Sequence, residues 1–456
     1  MFSRHVPVTL LLFAVTAFCG ALTNSLRARE IVTTAELGRA PAVAQTTPAA
    51  GSYTGPGSCA AAACHGSVRP VAGSRILQTE YTTWIAQDRH ARAAEMLSNP
   101  VSVRMAKILG LGAAHSAPKC LACHSLDAPD AQQARTFANE GVSCESCHGP
   151  ASGWLGPHTT KGWTHAQSVA AGMYDTKDLV KRTERCLTCH LGTAGKFVDH
   201  EMIAAGHPDL VFDLEAFSAA MPRHWKGTTG ADPYAPVRAF SVGQLVHLRD
   251  ALDRLGRRVQ GPAWPEYAEL DCFACHHSLT RTQDSWRQAQ GYQDRRPGNP
   301  PLNLSRWTTA RHVLAAFDAQ AASELAEVMA ALAREGGRLR VEATQVGAHI
   351  GKARAILDRG IARVLASRPD AATATRMLRA IVSDADSIAN QGERAAEQAA
   401  MALETLYLAS ATHDSSPAAR AAFDELFQQF QSPSSYDPRR FIAQVRKVEG
   451  AIGAAR

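Results

Sequence analysis

The amino-acid sequence predicts a mainly α protein with extensive coil. After residue 297, apolar residues recur at steps of three and four, as in the stripe over 314–332, and this pattern is typical of amphipathic helices. Within 57–296, frequent glycine and proline indicate short helices joined by long loops, for example over 81–98 and 240–259. Neither part shows strand-like alternation of any length, so a sheet is not expected.

The same patterns divide the chain into four segments. Residues 1–22 combine a basic start with an apolar run, which predicts a signal peptide or an uncleaved N-terminal anchor. Residues 23–56, rich in Ala, Thr and Pro, predict a flexible linker. Apart from Cys19, every cysteine lies within 57–296, which we expect to form one domain. Residues 297–456 contain no cysteine and predict an α-helical bundle of four or five helices.

Composition narrows the class of protein. A hydrophobic content of 45% and a charged content of 20% are those of an ordinary soluble protein. The formal net charge is +6, but the sequence shows neither a basic stripe nor a nucleic-acid motif, so a nucleic-acid partner is not expected. We expect an exported, periplasmic protein whose body is soluble and whose N-terminal segment can tether it to the outer face of the inner membrane.

The cysteines carry the strongest signal. Ten of the eleven form five pairs, and a histidine follows the second cysteine of every pair. Two residues separate the cysteines in four of the pairs, as in CESCH at 144–148, whereas four alanines separate the first pair. The paired cysteines are Cys59 and Cys64, Cys120 and Cys123, Cys144 and Cys147, Cys186 and Cys189, and Cys272 and Cys275. The histidines that follow them are His65, His124, His148, His190 and His276.

This spacing is what covalent haem attachment requires. Two thiols reach the two vinyl groups at one edge of a porphyrin, and the next residue presents an imidazole to the iron. Zinc ribbons also use Cys-x-x-Cys, and exported cysteines often form disulfides, but neither requires a histidine after every second cysteine. The longer spacer between Cys59 and Cys64 can loop outward. The sequence therefore predicts five haem c groups.

A second set of histidines is expected to supply the distal iron ligands. His90 has small neighbours that would let a haem approach, and His158 follows a rigid turn. If they lie on one helix, His200 and His207 share a face, because they are seven residues apart. The predicted distal ligands are His90, His158, His200, His207 and His224. The remaining candidates are expected to face solvent or to support haem propionates: His115, His165, His247, His277 and His312.

Three runs resemble a known family. GVSCESCHGP at 141–150, HARA at 90–93 and GPH at 156–158 resemble the cytochrome c-554 and c-prime family of multihaem cytochromes, over about residues 57–225. That family has four haems, whereas this chain adds a fifth motif and a helical C-terminal part.

The resemblance implies an arrangement of the distal ligands. His90 would complete the His148 haem, and His158 would complete the His65 haem. The haem on His124 would lack a distal protein ligand. Assignment of the other distal histidines, His200, His207 and His224, to the His190 and His276 haems is an inference beyond the resemblance.

Three functions are compatible with these observations. The favoured one is a multihaem c-type cytochrome that transfers electrons between redox partner proteins, because saturated irons and closely spaced motifs suit electron transfer. The alternative is a multihaem oxidoreductase that acts on a small nitrogen or sulfur oxide at a five-coordinate His124 haem. A redox sensor whose bundle docks a partner is the third.

Overall fold

A computed structural model describes residues 51–227, 232–262, 264–272, 275–276, 300–338, 340–410, 416–431 and 436–454. The predicted signal or anchor (1–22) lies outside the described residues, as do positions 23–50 of the predicted linker. Among the described helices, none combines the length and the apolar character that a bilayer span needs.

The described residues are helical with long loops, which confirms the predicted fold class. They contain no named strand, and an isolated antiparallel bridge joins Leu270 to Leu302. In the motif-bearing part the helices are short: α1 Glu80–Gln87, α2 Pro100–Ile108, α3 Pro118–His124, α4 Ala131–Thr136, α5 Cys144–His148, α6 His165–Ala170, α7 Leu179–His190, α8 His200–Ala205 and α9 Leu214–Ala220.

Longer helices follow, and they pack as a bundle. They are α10 Ala235–Val259, α11 Trp307–Phe317, α12 Ala319–Gly336, α13 Ala343–Ala366, α14 Ala371–Ser383, α15 Ala385–Ala389, α16 Glu393–Ser410, α17 Pro417–Gln428 and α18 Pro438–Ala454. Beyond residue 300 the structure thus describes eight helices, more than the four or five predicted. The difference arises from polar residues that start new helices within one apolar pattern. Asp318, for example, accepts a hydrogen bond from the Ala321 N–H and caps α12, which splits the predicted stripe.

One hydrophobic core runs through the bundle and reaches the motif-bearing part. It extends from Leu187 to Ile452 and includes most of the inner face of α10. Helix α10 packs on α13 of the bundle and also on α7, which carries a cysteine pair. The boundary at residue 297 stays a prediction, but the bundle core begins earlier in the chain than that boundary.

Candidate haem sites

Three of the five motifs lie on the last turn of a helix. Helices α3, α5 and α7 end at His124, His148 and His190. Because residues three apart are neighbours on a helix surface, this places both thiols of each motif on one side, next to the histidine. The four-alanine motif reaches a similar arrangement by a turn, in which the N–H groups of Cys64 and Gly66 both donate to the Ala61 carbonyl.

The CESCH motif is anchored by a buried carboxylate. Glu145 is 1% exposed, and its oxygens accept hydrogen bonds from the backbone N–H groups of Thr54, Gly55 and Ala151 at 2.6–3.0 Å. A buried carboxylate is stabilised by such N–H groups, since each donates to the ionised form. Glu145 therefore fastens the chain on both sides of α5 to the helix that presents His148.

Four motif histidines each face a histidine from a remote part of the chain. The ring centroids are 6.1 Å apart for His65 and His158, 6.2 Å for His190 and His90, 6.4 Å for His124 and His207, and 6.3 Å for His276 and His200. The angles between the ring planes differ widely: 5°, 89°, 89° and 33° in the same order.

The distance between ring centroids is nearly the same in the four pairs, whereas the angle between the ring planes varies. This combination fits two imidazoles that bind one metal ion from opposite sides. A transition metal bound by two opposite imidazoles, each at about 2.0–2.1 Å as measured for zinc, separates the ring centroids by roughly 6 Å. Each ring can rotate about its metal–nitrogen bond, so the angle between the rings is free. Direct ring packing would instead tie the separation to the angle. The four pairs therefore fit an iron held between two histidines.

Hydrogen bonds made by Nδ1 of these histidines also leave the other ring nitrogen free to bind a metal. In five of the paired histidines, and in His224, the Nδ1 atom bonds to a protein oxygen. His65 bonds to Glu80 at 3.0 Å, His90 bonds to Asp88 at 3.0 Å, and His124, His158, His207 and His224 bond to backbone carbonyls at 2.6–3.3 Å. An Nδ1–H that donates to such an oxygen leaves Nε2 as the free, metal-binding nitrogen.

The fifth motif histidine, His148, has a different neighbourhood. Burial lowers its pKa to about 4, and His224 is the largest electrostatic contributor after burial. Burial likewise lowers the pKa of His190 to about 4. Neutral imidazole is the form that binds iron, so both environments suit ligation. Of the five predicted distal histidines, His224 is the one whose described ring contact is with Trp225 and not with a motif histidine.

Contacts between thiols of different motifs give the sites a spatial order. The Cys59 thiol interacts with that of Cys144, and the Cys123 thiol interacts with that of Cys189. Burial first, and then the neighbouring Cys186, raises the pKa of the Cys147 thiol to about 12. The thiol interactions therefore place the His65 site next to the His148 site and the His190 site next to the His124 site, and the effect of Cys186 on the pKa of Cys147 indicates that the His148 and His190 sites are also neighbours.

The residues around the motifs fit a macrocycle with acidic side groups. Among the described residues, three buried donors near the motifs lack a hydrogen-bond partner: Trp154 Nε1, Arg182 Nε and Arg185 Nε. Unpartnered buried donors are costly, and a propionate would satisfy them. The motif cysteines and the paired histidines would hold the haem itself.

Several expectations about the distal ligands need correction. His158 faces His65, as the resemblance implies, but His90 faces His190 and not His148. Asp88 explains the direction of His90, because it binds both the backbone N–H and the ring of that residue. The implied vacancy at His124 is not found either, since His207 faces His124.

Two further expectations fail for local reasons. His200 and His207 do not share a helix face, because α8 ends at Gly206, whose φ is 114°. Each histidine therefore faces a different motif. His247 was expected to face solvent or to support haem propionates. It does not face solvent, because it is 2% exposed and packs against Phe212, which in turn packs on His190. His165 and His312 pair with Asp175 and Asp384, and His277 lies outside the described residues.

Sequence reasoning also missed the groups that orient the ligands. Asp88 stands two residues before His90, a spacing at which an aspartate can cap the turn, and this signal could have been used. Glu80 is fifteen residues from His65, and nothing in the sequence connects them. The packing of Phe212 on His190 is likewise a tertiary contact without a local signal.

A comparison with known families agrees with the motif geometry. Residues 59–149 match the family model described as cytochrome c554 and c-prime. This confirms the resemblance over that segment, which is a haem-binding cytochrome c segment and contains the first three motifs and His90. The motifs at His190 and His276 lie beyond the match. No curated protein and no solved structure matches the chain.

Proposed function

We propose that this chain is an exported pentahaem c-type cytochrome that transfers electrons between redox partner proteins. The observation that carries the proposal is the set of four facing histidine pairs at 6.1–6.4 Å, each containing a motif histidine. Bound haem would supply an iron that cycles between ferric and ferrous states. Two histidines at an iron would leave it no free position for a substrate.

The spatial order of the sites supports a relay. Thiol interactions link the His65 site to the His148 site and the His190 site to the His124 site, and the electrostatic effect of Cys186 on Cys147 supports placing the His148 site beside the His190 site. Helix α8 extends this order, because His200 at its start faces His276 and His207 just after its end faces His124. The proposed order along the relay is therefore the first, third, fourth, second and fifth motif. We propose that electrons pass between neighbouring sites in this order.

The described residues do not favour catalysis at the His124 site. His207 occupies the position that a substrate would need, and the ring nitrogen Nδ1 of His207 is held by the Pro208 carbonyl at 2.7 Å. A small nitrogen or sulfur oxide would have to displace this ring. We therefore assign the site to electron transfer.

The bundle supports the relay structurally. Leu187 of helix α7 and Leu191, directly after it, belong to the bundle core, so burial of apolar surface fixes the helix that presents His190. Export follows from the chemistry, because c-type haem is attached outside the cytoplasm, and from the predicted signal or anchor at 1–22.

The haem count tests the proposal. We expect the purified protein to contain five covalent haems per chain, measured by intact mass and by the absorbance of the pyridine haemochrome. The double variant Cys59→Ser with Cys64→Ser should contain four, which would assign one haem to the four-alanine motif. A matched change of Cys19→Ser should leave the count at five. Four or fewer haems in the unmodified chain would contradict the pentahaem proposal.

A further inference from the structure

Five of the paired histidines, together with His224, fall into two groups according to the partner of Nδ1. In four of them the partner is a backbone carbonyl: His124, His158, His207 and His224. In the other two it is a carboxylate. The Nδ1 atom of His65 lies 3.0 Å from Glu80 Oε2, and that of His90 lies 3.0 Å from Asp88 Oδ1.

Both carboxylates are held firmly by the backbone. Glu80 accepts a second hydrogen bond from the Leu77 N–H at 2.9 Å through its other oxygen. Asp88 is 6% exposed and also accepts the His90 N–H at 3.0 Å, as the cap of the 3-10 turn Arg89–Arg92. Each carboxylate therefore stays against one imidazole ring; Asp88 is buried and Glu80 is partly buried.

A carboxylate and a carbonyl act differently on a ligating imidazole. A carboxylate accepts the Nδ1–H more strongly, which increases the electron density on the ring and makes Nε2 a better donor. A better donor favours the ferric over the ferrous iron, and it is one of the means by which proteins set a haem potential. A carbonyl orients the ring but adds no net charge.

We propose that Glu80 and Asp88 are positioning residues that lower the reduction potentials of the His65–His158 and His90–His190 sites relative to the other three. This inference rests on the proposed haem binding. The reduction potential would then vary along the relay. It would be low at the His65 site and at the central His90–His190 site, and higher at the His148, His124 and His276 sites. The arrangement favours electron entry at the His65 end and storage toward the His276 end.

The test replaces each carboxylate by its amide. Glu80→Gln and Asp88→Asn keep an oxygen that accepts the Nδ1–H, and Asn is as good an N-cap as Asp, so ring orientation and local fold are retained. Asp178→Asn is the matched control, because Asp178 caps α7 through the Lys181 N–H and contacts no ligand histidine. Each protein is titrated potentiometrically with optical and EPR detection, after its haem content has been measured.

We expect each test variant to raise the midpoint potential of one haem and to change the midpoint potentials of the other four by less. The expected size is a tenfold change in the oxidised-to-reduced equilibrium of that haem, about 59 mV for one electron. The haem content and the low-spin signals should equal those of the parent, and the control should leave all five potentials in place. Unchanged midpoints in either variant with full haem content would overturn the inference. If one variant does not fold, the other decides. Fewer than five haems in the parent would instead count against the proposed function.

Discussion

The imidazole rings of His90 and His190 face each other, although one hundred residues separate them in the chain. Their ring centroids are 6.2 Å apart, and the angle between the ring planes is 89°. His90 belongs to a 3-10 turn that Asp88 caps, and His190 is the last residue of α7. The same turn contributes the Ala93 carbonyl to His124 Nδ1 at 2.9 Å. One short segment thus organises two neighbouring sites, the second and the fourth motif.

Replacing His90 by alanine should convert one haem from low-spin to high-spin, because its iron loses an axial nitrogen. EPR of the ferric protein measures this conversion. To identify the iron, the change is repeated in a chain without the fourth site, made by Cys186→Ser, Cys189→Ser and His190→Ala. In that background we expect His90→Ala to add no high-spin signal. A new high-spin signal there would mean that His90 serves another iron, such as the one at His148.

Replacing His207 by alanine should open the His124 site. The parent protein should bind no carbon monoxide in its ferrous form, whereas His207→Ala should bind about one per chain. The optical change on adding carbon monoxide measures the stoichiometry. His115→Ala is the control, since His115 is exposed and is not one of the facing histidines. Equal binding by the parent and by His207→Ala would contradict the assignment.

Gly141 allows two segments to approach closely. Its φ is 65°, and an added Cβ would lie 2.5 Å from the Ala91 oxygen and 2.6 Å from the His90 oxygen. Gly141→Ala should therefore displace the His90 segment and produce a partial high-spin signal. Gly162→Ala separates this effect from backbone strain, because Gly162 has a φ of 87° but open space around its Cα. That control should lower stability by about 1–2 kcal/mol and leave the EPR spectrum unchanged. Identical spectra for both variants would argue against the steric account.

Glu397 should make the stability of the bundle depend on pH. Burial, with the nearby charges of Glu393 and Asp209, raises the pKa of Glu397 to about 7 from 4.5. Since the folded-state pKa is the higher one, this group stabilises the fold fully below about pH 4.5, and that contribution is lost as pH rises through 7. Thermal unfolding of Glu397→Gln should give a higher Tm than the parent at pH 8 and a similar Tm at pH 5. A Tm difference of the same size at both values would exclude this cause.

The haem-attachment motifs could be predicted from the sequence, but the distal histidine that faces each motif histidine could not. Thiol and histidine spacing depends on one turn of chain, so the attachment motifs could be identified directly. The partner of each motif histidine is a tertiary relationship. Gly206 ends α8 and sends His200 and His207 to different sites, which a uniform helical pattern could not indicate. The same limit applies to Asp318, which divides one apolar stripe into two helices.

The most direct test of the relay is the spin state of the irons in the unmodified, fully loaded protein. EPR of the ferric form, integrated against the haem content, counts the low-spin irons. The account predicts five low-spin haems per chain, with no high-spin signal and no binding of carbon monoxide or nitric oxide after reduction. A stoichiometric high-spin iron that binds either gas would show an open site, and it would contradict the proposal that this chain only transfers electrons.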